Sequence, residues 1–350
     1  MSTSDKNKKP TIKDVAALAG VSAMTVTRAL QPNSSISEKT KTKVLWAVKA
    51  LNYKPNISAR RLSSSRSYFV GLLYIKPDGS YVGEFIIDAL KASRKHGFHL
   101  ISEEYSSSGG MSPLYLVDKL IEDTNLDAVI LIPPLCDDLE LLHHLKHKEM
   151  PFVRVSPNVE LTLSPFVCIN DYDAAYEMTQ FLINQGHTQI AFIQGASSLK
   201  NSLSRQQGFL DAMQANELSV PAEFIQPGNF TYQSGFSAAH NLFELTNRPT
   251  AIFAANDDMA SATIACAHKF GITVPDDLSV VGFDNTYIAK QMWPALTTVE
   301  QPLDLISDKV LELIAHHDLS SDGETLQKFE LPFKLIERDS VRNLKTVPSS

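Results

Sequence analysis

Ala23, Met24, Thr27 and Arg28 stand at helical spacing on one face of a short segment. A guanidinium offers two parallel donors that match guanine O6 and N7. Ala23 and Met24 have no polar group to give, so their part would be apolar contact, for instance with a thymine methyl. Val26 and Leu30 occupy the opposite side at i, i+4, which makes the segment an amphipathic helix with a small polar and basic face. Such a face suits the major groove of DNA.

That helix must be held by others. Thr11 and Asp14 have the form of a capping box, with Asp in place of the usual Glu or Gln. Val15, Leu18 and Val21 supply apolar packing, and Ala16, Ala17 and Ala19 allow close approach. Gly20 stands where the chain must turn, and Ser22 can cap the next helix. The spacing predicts a helix-turn-helix. A third helix is expected from Ser37, with Val44, Leu45, Val48 and Leu51 inward. Lys39, Lys41 and Lys43 face outward, near phosphates. Pro55 stops that helix, and Asn56 can cap a short one from Ile57 to about Ser63, with Ser58, Ala59, Arg60, Arg61 and Leu62 on it. Leu62 reads either as a wedge for the minor groove or as packing onto the rest of the chain.

A second set of groups could bind a small molecule. Beyond residue 67, short apolar runs alternate with helical stretches: "YFVGLLYI", "FHLISEEY", "LDAVILIPP", "PFVRVS" and "FVCIND", then "QIAFIQG", "EFIQPGNF", "PTAIFAAND" and "LSVVGFDN". Helical patterns lie between them at Phe85–His96, Leu114–Glu122, Leu139–Lys148 and Ala174–Gln185. A helical return near Leu303–His316 precedes a last strand, "KFELPFKLIER". Apolar strands alternating with helices mean parallel sheets covered on both faces. Two successive sets suggest two lobes crossed by the chain more than once. In open sheets of this kind ligands bind beyond the carboxyl ends of the strands. Tyr81, Phe85, Arg154, Arg205, Phe230, Asn256 and Asp284 fall there. Carboxylate, amide and guanidinium groups can bond sugar hydroxyls, and aromatic rings can cover a pyranose or a purine. Arg154 beside Arg205 would favour an anionic ligand such as a sugar phosphate or sugar acid, so the expected effector is a sugar or a sugar phosphate bound between the lobes. Arg154 could equally pair with a carboxylate or bond a neutral sugar.

The charge distribution separates the two sets. The 350-residue chain has a net charge of -7. Residues 1–66 carry 13 lysines and arginines against Asp5, Asp14 and Glu38, a net of +10, which leaves -17 for the remainder. A basic head on an acidic body suits a nucleic-acid-binding module joined to a domain with another task. No run approaches the ~18 apolar residues of a membrane span, and "MSTSDKNKKP" lacks the apolar core of a secretory signal. Cys136, Cys168 and Cys266 are far apart and read as reduced thiols of a cytoplasmic protein. No cofactor is implied.

"TIKDVAALAGVSAMTVTRAL", "ISEKTKTKVLWAVKALNYKPN" and "ISARRL" together resemble the headpiece and hinge of the LacI/GalR (lactose-repressor) family of bacterial transcription regulators. The resemblance spans the chain. It implies that Ala23, Met24 and Arg28 read bases, that Leu62 enters the minor groove, and that two protomers pair on a near-palindromic operator. Thr11, Ser22, Thr27, Asn56, Ser58 and Ala59 complete the candidate DNA-contact set. It also implies that Arg205, Asn256 and Asp284 hold an effector and that Phe230 stacks on it. The apolar Ala23–Met24 pair departs from the more polar pair of the best-known repressor. Arg154 replaces an acidic residue there.

The expected fold is a small all-α helix-turn-helix headpiece on an α/β, two-lobed, periplasmic-binding-protein-like body with parallel sheets. The expected boundaries are 1–54 for the headpiece, 55–67 for hinge helix and linker, 68–168 with 297–322 for one lobe, and 169–296 with 323–345 for the other. Rival functions are a sugar receptor, which would need a signal peptide and no headpiece, and an enzyme, which would need a catalytic constellation. "GASSLKNS" lacks the GK[ST] ending of a P-loop, no GxSxG is present, and His143 with His147 has no third ligand to complete a metal site. Without a leucine heptad near the chain end, a dimer is expected rather than a tetramer.

Overall fold

In the computed structural model, which describes residues 10–30, 36–53, 66–75, 79–106, 112–316 and 327–345, Thr11 sets the start of α1 (Ile12–Ala19). Its N–H and its hydroxyl both donate to Asp14 Oδ2 at 2.7 Å. Gly20 ends the helix at φ 66°, a left-handed conformation that a side chain resists. Ser22 Oγ then accepts from Thr25 N at 3.1 Å and opens α2 (Ala23–Ala29). Ser37 does the same for α3 (Glu38–Ala50) through Thr40 N. Val15, Ala16, Ala19, Val26, Ala29, Val44, Ala47 and Tyr53 are buried together. Leu18 and Leu45, expected inward, are 42% and 47% exposed, and Ala17 is exposed too. At 3.6 residues per turn both leucines lie roughly 110° around their helices from the buried stripe. Small alanines take the inward positions because the three short helices pack closely.

The chain divides into two units, Met1–Ser67 and Tyr68–Ser350. The second contains two six-stranded sheets. One has the order β11-β5-β4-β3-β1-β2 and the other β12-β10-β9-β8-β6-β7. The first sheet is built from β1 (Phe69–Ile75), β2 (His99–Tyr105), β3 (Ala128–Leu131), β4 (Phe152–Val155), β5 (Phe166–Cys168) and β11 (Lys328–Glu330). The second holds β6 (Ile190–Ile193), β7 (Ile225–Gln226), β8 (Ala251–Ala254), β9 (Ser279–Asp284), β10 (Thr297–Glu300) and β12 (Lys334–Ile336). All neighbours pair in parallel except β10 with β12. Central strands are buried throughout, as parallel strands covered by helices must be. Helices α4 (Ser80–His96), α5 (Pro113–Thr124), α6 (Leu139–His147), α7 (Asp171–Asn184), α8 (Lys200–Ala215), α9 (Tyr232–Glu244), α10 (Asp257–Lys269), α11 (Tyr287–Gln291) and α12 (Leu303–His316) complete the layers. No helix among the described residues is long and apolar enough to cross a membrane.

The lobes exchange strands differently from the expected boundaries. β10, assigned to the first lobe, pairs with β9 in the second sheet. β11, assigned to the second, pairs with β5 in the first. The single last strand is two, separated by Leu331–Pro332–Phe333. Pro332 has no N–H for a ladder, so the chain leaves one sheet and enters the other there. Crossings between lobes therefore lie near Ile169–Asn170, Gln301–Pro302 and Leu331–Phe333. "TTVE" carries two polar threonines, which hid β10 from an apolar-run reading.

Candidate functional site

The carboxyl ends of both sheets face one cavity of about 290 Å³. From the first lobe come the end of β1, the first turn of α4, Pro133–Pro134 after β3 and Ser156 after β4. From the second come Asn201 and Arg205 on α8, Asn229–Thr231 after β7, Asn256 and Asp258 after β8, Asp284 at the end of β9 and Gln301 after β10. Five expected effector residues, Tyr81, Arg205, Phe230, Asn256 and Asp284, line it.

Two do not. Phe85 is fully buried in the body's apolar core, one turn along α4 from Tyr81. Arg154 is fully buried as well. Its Nε donates to Ser164 Oγ at 2.9 Å, Nη1 to the carbonyls of Val159 at 2.8 Å and Cys136 at 3.4 Å, and Nη2 to the carbonyl of Glu160 at 2.7 Å. It sits within β4, one residue short of the carboxyl end, and fastens the 156–164 loop. Of the alternatives open for Arg154, the one in which it joins Arg205 to clamp an anion is therefore not met in the cavity, and Arg154 bonds a hydroxyl and three carbonyls in place of a carboxylate or a sugar.

Arg205 is neutralised where it stands. Nε donates to Asp171 Oδ1 at 2.7 Å, Nη1 donates to the Ala255 carbonyl at 2.6 Å, and Asp284 Oδ1 lies 3.7 Å away. Its guanidinium stacks on the Phe283 ring, 3.6 Å from the centroid. Burial pushes the Asp171 carboxyl up, and the Arg205 charge pulls against that. Asp284 is pushed well above the usual carboxylate range by burial, against the pull of Arg205 and with a further push from Asp257. Gln301 Nε2 donates to Asp284 Oδ1 at 2.6 Å. Asp284 and Phe230 take φ of 114° and 68°, uncommon for residues with side chains. Burial also raises the Tyr81 hydroxyl, which stays protonated.

Asn256 spends its amide on structure: Oδ1 caps α10 through Met259 N at 3.0 Å and Nδ2 holds the Phe230 carbonyl at 2.9 Å. Asn201 Oδ1, by contrast, is buried without a hydrogen-bond partner. Asp171, Ser156, Asn201, Asp258 and Gln301 were not singled out from the sequence as effector contacts. For Asp171 a signal existed, since it directly follows the "FVCIN" run.

In the first unit, Met24 is 68% exposed and Thr27 and Arg28 are exposed beside it, while Ala23 is half-buried against the core. Thr27 Oγ1 donates to the Ala23 carbonyl at 3.1 Å. Thr11 and Ser22 are exposed at their helix starts. Lys39 and Lys43 are exposed and Lys41 is half-buried. Asn56, Ser58, Ala59 and Leu62 lie outside the described residues.

Comparison with known proteins adds the following. The profile of bacterial regulatory proteins, lacI family, matches residues 11–56, and that of a periplasmic binding protein-like domain matches residues 179–341. The probable HTH-type transcriptional repressor ExuR of Bacillus subtilis strain 168 is 33% identical over 341 residues, covering 96% of this chain and 99% of the relative. The HTH-type transcriptional repressor PurR of Vibrio cholerae serotype O1 strain M66-2 is 32% identical over 340 residues, covering 95% and 98%. Among solved structures, a transcriptional regulator CelR–cellobiose complex aligns at TM-score 0.69 with 26% identity, over 95% of this chain and 99% of that one. A lac repressor dimer bound to operator and the anti-inducer ONPF aligns at TM-score 0.68 with 24% identity, over 96% and 100%, and so shares the fold.

Proposed function

Since the chain belongs to the LacI family of bacterial regulatory proteins and is a DNA-binding transcription regulator, we propose that its effector is an uncharged, polyhydroxylated molecule of sugar size. One observation carries this reading. Among the described residues, the one arginine that lines the cavity is already answered by Asp171 and Asp284, and Asp258 adds a further carboxyl group. An anion would meet no unanswered cation among the described lining residues, whereas hydroxyls find acceptors and donors at Asp258, Asp284, Gln301 and Ser156. The Phe230 and Tyr81 rings offer apolar cover. A cavity of about 290 Å³ sits at the small end of ligand sites.

A purine is the second reading. The unmet acceptor of Asn201 suits a ring N–H as well as a hydroxyl, and the same rings can stack on a base. The regulator acts by binding rather than turnover, as a repressor in the cytoplasm. It occupies a near-palindromic operator as a homodimer. Ile87 and Leu90 on α4, Tyr287 on α11 and Leu305 on α12 support the dimer: α11 and α12 each pack on α4, and the four side chains are left exposed. Arg28 would read a guanine while the exposed lysines of α3 contact phosphates. The ligand shifts DNA affinity only by its differential binding to two states of the body.

A thermal-shift screen of the full chain tests the effector class, with hexoses, disaccharides, amino sugars, sugar phosphates, sugar acids and purines. A neutral sugar at 100 times its Kd should stabilise by about 2.7 kcal/mol. Stabilisation by phosphates or acids alone would overturn the reading, and stabilisation by purines alone would select the second.

A further inference from the structure

Each lobe of the body completes a helix that begins in the other. The first N–H groups of any helix have no partner within it. α4 starts at Gly79, which has no side chain to offer as a cap. The missing acceptor comes from across the cleft. Ser80 N donates to Asp258 Oδ2 at 2.8 Å and Ser80 Oγ to Asp258 Oδ1 at 2.9 Å, and Asp258 stands in the first turn of α10. A Cβ at position 79 would lie 2.8 Å from Asp258 Oδ2, so glycine leaves room for the carboxylate.

The exchange is returned. α11 starts at Thr286, which gives no side-chain cap, because its N–H and hydroxyl both donate to Asp257 Oδ2, at 2.7 and 3.1 Å. Glu84, in the second turn of α4, accepts the N–H of Tyr287, the first residue of α11. A fourth bond across the cleft joins Lys200 Nζ to the Asn158 carbonyl at 3.1 Å.

We propose that this reciprocal exchange of helix caps is a latch that sets the open–closed balance of the ligand-free body, with Asp258 and Glu84 as its positioning residues. The proposal rests on the reading of the body as a two-state ligand clamp. Both caps exist only while the lobes touch, so opening loses them together. A carboxylate at a helix N-terminus is favoured by the aligned peptide dipoles as well as by its bonds. Asp258 also lines the cavity. A carboxylate has about four acceptor sites, so a ligand hydroxyl can bond it without displacing Ser80. Such a ligand would tighten a latch that is already present.

Amide hydrogen exchange at Ser80 and Tyr287 tests this in the full chain without ligand or DNA. Both N–H groups are the first of their helices, so the hydrogen bonds that protect them come from the opposite lobe. Asp258→Ala should free Ser80 directly and also speed exchange at Tyr287 about fivefold, the equivalent of one lost cap. Glu84→Ala should do the converse. If each substitution speeds exchange only at the amide it contacts, the caps are local and the latch is refuted. Asp258→Asn and Glu84→Gln, which keep the shape, repeat the comparison should an alanine variant fold poorly. The readout involves no effector, so its failure would leave the ligand-screen result standing, and the reverse holds too.

Discussion

Replacing Arg154 with Met separates a structural arginine from a ligand-binding one. The substitution keeps the apolar stem and removes the guanidinium, which leaves the carbonyls of Cys136, Val159 and Glu160 and the Ser164 hydroxyl without their donor. A buried acceptor left unpaired costs about 1–3 kcal/mol. Glu160 is exposed and Val159 half-buried, so water can reach part of the vacated site and the low end applies. Recovered desolvation of the cation offsets some of the remainder. A net loss of about 3 kcal/mol follows, or roughly 6–12 °C in Tm at the sensitivity of a large domain. The Arg154 side chain does not line the cavity, so effector affinity should change by less than about fivefold, the equivalent of about 1 kcal/mol. Urea unfolding and calorimetric titration on the same preparation check both halves. An unchanged unfolding midpoint with tenfold or greater loss of effector affinity would refute the placement of Arg154.

Three further outcomes are expected. Asp257, pushed up to about 7 by burial against an ordinary 3.8, holds its proton in the folded body where the unfolded chain has lost it; its contribution to stability is complete below about pH 4 and disappears as pH rises through 7. Asp257→Asn should therefore flatten the fall in unfolding midpoint between pH 4 and 7, by at most about 1.4 kcal/mol per pH unit, and matching pH profiles for the two proteins would contradict the assignment. Arg28→Ala should weaken operator binding by about 1–3 kcal/mol and relax preference at one base pair, without altering effector titrations; a loss that is uniform across all DNA sequences would reduce Arg28 to a phosphate contact. Phe230→Ala should lower effector affinity by several-fold or more while Tm without ligand falls little, because the ring is only partly buried; undiminished affinity would place the ligand away from that ring.

Much of this architecture is legible in the sequence because local chemistry decides it. Thr11, Gly20 and Ser22 act through neighbours three or four residues away, and the structure uses each as its type suggests. Apolar runs such as "AVIL" and "AIFA" must be covered on both faces, which fixes parallel sheets. What escaped depends on distant partners. Arg154 has the same side chain in a cavity or in a staple, and only the fold of the 156–164 loop decides between them. Tyr81 and Phe85 lie one turn apart, yet only Tyr81 reaches the cavity. β10 and β11 were exchanged between lobes because neither is an apolar run and each is defined by the sheet it joins. Asp171 looks like an ordinary first-turn acid of α7 until Arg205, thirty-four residues on, is brought against it.

The same distance argument explains how a ligand can be both weakly specified by charge and strongly coupled to conformation. Arg205, Asp171 and Asp284 satisfy one another inside the second lobe, so a neutral ligand need not supply a counter-charge to that lobe alone. Selectivity then falls on groups from both sides of the cleft, Ser156 and Tyr81 on one and Asp258, Gln301 and Asn201 on the other. Only bonds made to both lobes distinguish closed from open, and only that difference can move DNA affinity. Shifting a two-state balance from 1:99 to 99:1 requires about 5.5 kcal/mol of differential binding. If two reciprocal caps worth about 1 kcal/mol each already hold the lobes together, a sugar-sized ligand has less left to supply. Weakening Asp258 or Glu84 should therefore raise the effector concentration needed for the DNA response while leaving the maximal response within reach.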